Sequence, residues 1–104
     1  NVASKKMINR FVKMTFDNQC IDAFKVLFNE HKQAIRNSPG CLHLELLNDI
    51  KHPHIFFTYS KWETEADLNN YRHSLTFKEV WPKTKALFSH KPEAWSMTAM
   101  EVKA

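Results

Sequence analysis

The apolar positions along this chain change period several times, and each change marks a predicted element. Met7 to Phe16 is rich in Ile, Phe, Val and Thr and predicts a strand. Asp17 and Asn18 follow as turn or helix-capping residues. From Cys20 to Asn37 the apolar residues Phe24, Leu27, Phe28, Ala34 and Ile35 recur at steps of three and four, with His31 on the same stripe. That spacing predicts an amphipathic helix with one buried face, and Lys25, Glu30, Lys32 and Arg36 form its wet side. Asn37-Ser38-Pro39-Gly40 ends it, since Pro cannot extend a helix and Gly permits a positive φ. Cys41 to Leu47 then alternates. Leu42, Leu44 and Leu46 are expected on one side, and Cys41, His43 and Glu45 on the other.

After a polar connection over 48–53, His54 to Trp62 is aromatic and nearly continuous, the pattern of a central strand covered on both faces. Thr64-Glu65-Ala66-Asp67 resembles a capping box and predicts a helix from about Glu65 that carries Leu68 and Tyr71 inward. Ser74 to Leu87 continues helically with Phe77, Val80, Trp81 and Leu87 as anchors. Pro82 lies inside it, so a kink or a restart is expected there. Ala94 to Val102 reads as a last strand.

The order β-α-β-β-α-β predicts an α+β, ferredoxin-like fold: a four-stranded antiparallel sheet with two helices on one face. The other face is left bare. Strand residues of both parities are apolar, so that face exposes a hydrophobic patch, and pairing with a second copy is the simplest cover. A homodimer is therefore expected.

Composition narrows the classes. With 104 residues the chain holds one domain, placed at 7–104, after a flexible polar tail at 1–6. No apolar run reaches the roughly 18 residues of a membrane span. The net charge of +4 is spread out, without a block of five like charges, which favours a solvated surface over a nucleic-acid footprint. Cys20 and Cys41 have neither metal nor redox spacing and fit free thiols in a reducing cytoplasm. Gly40 is the only glycine, which excludes phosphate-cradling loops.

Three stretches resemble the antibiotic biosynthesis monooxygenase (ABM) superfamily. Ser38-Pro39-Gly40-Cys41 leading into Leu42-His43-Leu44-Glu45-Leu46 is similar to the family's lead-in to its second strand. Tyr59-Ser60-Lys61-Trp62-Glu63-Thr64-Glu65-Ala66-Asp67-Leu68 is similar to its strand-to-helix signature. Ser74-Leu75-Thr76-Phe77 is similar to its "S-x-x-F" at the later helix. With the element order these cover residues 7 to 102. The resemblance implies a dimeric α/β barrel with a pocket in each subunit between sheet and helices. Relatives include cofactor-independent monooxygenases of polyphenolic or quinol substrates, haem-degrading enzymes and enzymes of small signalling molecules.

Carried over residue by residue, the resemblance implies catalytic roles for Asn9, Trp62 and Tyr71. Asn9 matches a pocket asparagine of haem-degrading relatives. Those relatives also use a Trp and a His where this chain has Tyr71 and Trp81, so the expected axial iron ligand is missing. His73 is close in sequence but points elsewhere on the helix. Quinol-oxidising relatives often carry histidines around the same helix start, where this chain has Tyr71 and Thr76. Trp62 matches the strand Trp of cofactor-independent members. Some of those place an Asn four residues earlier; here it is Thr58, whose hydroxyl is a weaker substitute.

An oxygenase without flavin or metal needs an apolar, dry cavity for an electron-rich aromatic, and donors that favour its deprotonated form. Thr58, Arg72, Phe77 and Trp81 are expected to bind the substrate. The expectation is thus an oxidoreductase with no cofactor and no metal. Each residue also has a plainer reading. Trp62, Phe77, Trp81 and Tyr71 suit a core, Asn9 a bond to a neighbouring strand, and Arg72 the surface. His43 with Glu45, and His52 with His54, supply two ligands each and no third.

Two other functions remain open. A non-catalytic small-molecule-binding dimer uses the same fold. An RNA-binding module shares the element order, with Phe57 and Tyr59 as stacking residues, but the Gly-rich basic motif is missing from His54 to Trp62.

Overall fold

The computed structural model describes residues 6–100. Of the tail expected at 1–6, only Lys6 falls within them, and the end of the expected last strand, 101–102, lies outside. The strands are β1 (Ile8–Thr15), β2 (Cys41–Asn48), β3 (Ile55–Trp62) and β4 (Glu93–Met97), and the helices are α1 (Ile21–Arg36), α2 (Glu65–Arg72) and α3 (Leu75–Lys85). A short 3-10 turn, Asn18–Cys20, leads into α1. The sheet order is β2-β3-β1-β4, all antiparallel, which is the ferredoxin-like α+β arrangement.

Alternation along β1 decides what each face carries. Arg10, Val12 and Met14 face the helices; Asn9, Phe11 and Lys13 therefore face away. Cross-strand partners share a face, so Tyr59 and Phe57 of β3 and Trp95 and Met97 of β4 join Phe11 on the side without helices. Phe11 and Tyr59 stack there at 4.8 Å. The expectation that β3 is covered on both faces is therefore met on one face only within a single chain.

Beneath the helices the interior has two clusters. Met14, Phe16, Phe24 and Phe56 form one, with Val12, Ile21, Phe28, Leu46, Leu87 and Phe88 against it. Cys41, Trp62 and Leu68 form the other, with Ile8 and Tyr71 against it.

Four local expectations are corrected. Cys41 does not share a side with His43 and Glu45. A bulge between Cys41 and His43 shifts the register, so Cys41 pairs with Trp62, becomes buried, and leaves Leu42 exposed. The second helical run breaks at His73-Ser74 and not at Pro82, giving three helices. The Ser74 hydroxyl accepts from the Phe77 N–H (3.2 Å) and donates to the Tyr71 carbonyl (2.6 Å), which ends one helix and caps the next. Pro82 sits inside α3. Ala34 lies off the buried stripe of α1 and is exposed. Finally, β4 stops at Met97, the partner of Asn9, because β1 offers almost no further backbone to pair with.

Gly40 meets its expectation, at φ +82°. Its carbonyl accepts from the Glu63 N–H at 2.8 Å, and a Cβ added there would run into the Asp67 carboxyl group. Asp67 is in turn held by Thr64, the N-cap of α2, whose hydroxyl accepts from the Asp67 N–H at 3.1 Å. The helix end, the bulge and the start of α2 thus meet at one point.

Candidate active site

A cavity of about 220 Å³ lies between the sheet and the three helices. Its floor comes from Arg10, Val12 and Met14 of β1 and Thr58, Ser60 and Trp62 of β3. Its roof comes from Phe24 and Phe28 of α1, Tyr71 and Arg72 of α2, and Phe77 and Trp81 of α3. The two core clusters bound it at opposite ends.

An aromatic series runs along one wall. Trp62 stacks on Tyr71 at 5.0 Å, Tyr71 meets Phe77 edge-on at 5.3 Å, and Phe77 stacks on Trp81 at 5.7 Å. Trp62 is only 1% exposed, and its indole N–H donates to the Ser60 hydroxyl at 2.9 Å, which fixes the ring. The cap at Ser74 sets the angle between α2 and α3 and so brings Tyr71 against Phe77.

Polar groups gather at the Trp62 end. Burial, and secondarily the nearby Cys41 thiol, push the Tyr71 hydroxyl well above the ordinary phenol value, so it stays a neutral donor. No hydrogen bond holds that hydroxyl among the described residues. Arg10 is half-buried and its guanidinium donates to the Ser96 hydroxyl at 2.8 Å. Burial first, then the charge of Arg72, lowers Arg10 from the ordinary guanidinium value. Burial likewise raises the Cys41 thiol, partly offset by the His43 backbone contact and by Arg36.

Of the residues singled out in the sequence, Thr58, Trp62, Tyr71, Arg72, Phe77 and Trp81 all line this cavity. Asn9 does not. It projects from the opposite face of β1, where it accepts from the Tyr59 hydroxyl at 2.8 Å and donates to the Met97 carbonyl at 3.4 Å. The pocket position expected for Asn9 is corrected by strand alternation: its neighbour Arg10 takes the helix side. Arg10 was missed by reading motifs, yet its parity with Val12 and Met14 carried the signal. Ser60, two residues before Trp62, was missed in the same way.

His43 and Glu45 bond each other at 2.9 Å on the face away from the helices. The His52 and His54 rings lie 6.0 Å apart. No group of three His, Cys, Asp or Glu side chains suited to a metal occurs among the described residues. His73 bonds the Asn69 carbonyl at 2.8 Å on the exposed side of α2.

The family model described as antibiotic biosynthesis monooxygenase matches residues 7–82. The chain belongs to this family. Solved structures share the fold. A conserved protein from Methanosarcina mazei Go1 superposes with a TM-score of 0.86 at 19% identity, covering 92% of this chain and 95% of that one. A crystal structure of an antibiotic biosynthesis monooxygenase gives 0.85 at 22% identity, covering 90% and 99%. A variant of SnoaB, a cofactor-independent oxygenase from Streptomyces nogalater, gives 0.82 at 14% identity, covering 93% and 96%. No curated protein matches the chain. No helix among the described residues is long and apolar enough to cross a membrane. For this ABM family member the matched segment contains β1 to β3, α1, α2 and most of α3, which together carry all the cavity residues named above.

Proposed function

We propose that the chain is a cofactor-independent monooxygenase acting on a small aromatic, quinol or polyphenolic compound. The carrying observation is an apolar cavity walled by Trp62, Tyr71, Phe77 and Trp81, with polar donors gathered at one end. Its volume of about 220 Å³ exceeds the roughly 150 Å³ that holds benzene and falls below the range of drug-sized sites. A compound of one or two rings fits.

The chemistry asks little of the protein. A substrate with an activated methylene loses a proton to give a delocalised phenolate or enolate. That anion adds to O₂ and takes up a proton as a hydroperoxide. Loss of water then leaves a carbonyl, so one oxygen atom enters the product and the other leaves as water. The aromatic walls hold the ring and exclude water. Tyr71, kept neutral by burial, donates to the oxyanion, Arg72 adds positive charge, and the Thr58 hydroxyl faces the same space. Asn9 has no part in the cavity and instead organises Tyr59 on the far face.

The test is oxygen uptake with a panel of quinols, polyphenols and activated methylenes, without added cofactor. Labelled O₂ is expected to place one labelled atom in the product. Absence of turnover across the panel overturns the reading. One observation favours a second reading, a binding protein without catalysis. Among the described residues no His lines the cavity, and the carboxylate there, Glu93, pairs with Lys13 at 3.8 Å. Saturable binding of 2-naphthol without oxygen uptake by any panel member would support it.

We also infer a homodimer joined through the face that carries Phe11, Phe57, Tyr59, Trp95 and Met97, in which each sheet covers the other. Trp95 and Met97 are 42% and 48% exposed in the single chain. Sedimentation at micromolar concentration should show a dimer; a well-folded monomer overturns this inference. The two free thiols suit a cytoplasmic setting.

A further inference from the structure

Two arginines, Arg10 and Arg72, line the cavity. Arg10 sits in the middle of the sheet, with Ser60 across β3 and Ser96 across β4 as its register partners. Among the described residues it uses one N–H on Ser96, which engages few of the five donors of its planar fork. Arg72 approaches the same space from α2. Neither forms an ion pair among the described residues. The ion pairs there involve Lys13, His31, His43 and Lys83.

Two guanidinium groups facing one small cavity repel each other, and burying one adds to the cost. The lowered value of Arg10 records both effects. An anion placed between them removes the repulsion and fills the open donors. The neutral Tyr71 hydroxyl stands on the same element as Arg72, one residue away, and also lines the cavity.

We propose that Arg10 and Arg72 form an anion-binding subsite that selects aromatic carboxylic acids over neutral aromatics of the same shape. This rests on the reading of the cavity as a substrate site. The planar guanidinium fork matches a planar carboxylate in two parallel hydrogen bonds. The narrow aromatic walls suit a flat acid better than a tetrahedral phosphate ester. The carboxylate sits at the Arg10 end and the rings lie along Phe77 and Trp81. Binding there also anchors the substrate through a group that does not react.

The test compares 2-naphthoate with 2-naphthamide, its neutral counterpart, by calorimetry on the full chain at low salt. The acid is expected to bind about tenfold more tightly or better, and added salt should shrink that preference. Arg10→Gln and Arg72→Gln should each weaken 2-naphthoate far more than 2-naphthamide and so remove most of the preference, because the carboxylate loses a charge-assisted pair where the amide loses at most a neutral hydrogen bond. Arg10→Lys should keep part of it, because the charge remains and the fork is lost. Should Arg10→Gln fail to fold, Arg72→Gln, on an exposed helix position, decides alone. Equal affinity for acid and amide overturns the proposal, as does an equal loss of both in the variants, or no detectable binding of the acid at millimolar concentration. Tighter binding of 2-naphthyl phosphate than of 2-naphthoate overturns the choice of carboxylate. Binding is read without turnover, so a chain that prefers the acid but consumes no oxygen keeps the subsite and loses the oxygenase reading.

Discussion

The two ends of the interior beneath the helices are built from the same strands and behave as opposites. At one end Met14, Phe16, Phe24 and Phe56 are all at most 3% exposed, and Phe16 stacks on Phe24 at 4.2 Å. At the other, Trp62 and Leu68 are buried too, but Cys41, Ser60, Tyr71 and Arg10 stand around them. The first end contributes hydrophobic burial. The second holds polar groups that a purely structural core would avoid, beside a cavity that it could have filled. The difference sets a closed core beside a lined cavity, so stability and ligand contacts should respond to different substitutions.

The largest expected effect breaks the closed end. Phe24→Ala should cost about 3–5 kcal/mol in urea unfolding, since the ring packs against Phe16, Phe28 and Phe56 and leaves a void. Next comes the junction that supports the open end. Gly40→Ala should cost at least about 1–2 kcal/mol, from the left-handed backbone alone, with the overlap against Asp67 added. Smaller still, Ser74→Ala should cost about 1 kcal/mol. It should also weaken aromatic ligands, because the cap sets Tyr71 against Phe77.

The smallest effect on stability sharpens the contrast most. Tyr71→Phe should change stability at neutral pH by less than about 1 kcal/mol, as the hydroxyl holds no partner among the described residues, while oxygen uptake falls by about tenfold or more. The same variant has an alkaline signature. The folded-state value of Tyr71 is raised, so above pH ~10 the unfolded chain releases this proton and the folded chain keeps it. Stability is whole below that pH and declines as pH rises, by up to about 1.4 kcal/mol per pH unit from this group. Tyr71→Phe should flatten the slope in unfolding curves between pH 9 and 11, by comparison with the parent chain. An unchanged slope would mean that the phenol is not buried as described.

The outline of the fold was legible because its signals are local and periodic. Phe24, Phe28 and Ile35 at helical spacing, the aromatic run of β3 and the Thr64 cap each place one element without help from the rest. The resemblance quoted on residues 38–46, 59–68 and 74–77, with the donors and walls that its chemistry asks for, pointed to Thr58, Trp62, Tyr71, Arg72, Phe77 and Trp81, which line one cavity. It failed at Asn9, where a motif match ignored that Val12 and Met14 already fixed which side of β1 faces inward.

By itself, then, the sequence determined the elements, their order and the greasy character of both sheet faces, since these follow from side-chain period and turn chemistry within a few residues. Tertiary structure decided the rest. It placed the bulge that turns Cys41 inward, the end of β4 and the shared cavity that Arg10 and Arg72 line. Each depends on which residues from distant parts of the chain lie opposite one another. A register is a property of two strands and a cavity of several elements, so neither is written in any one segment.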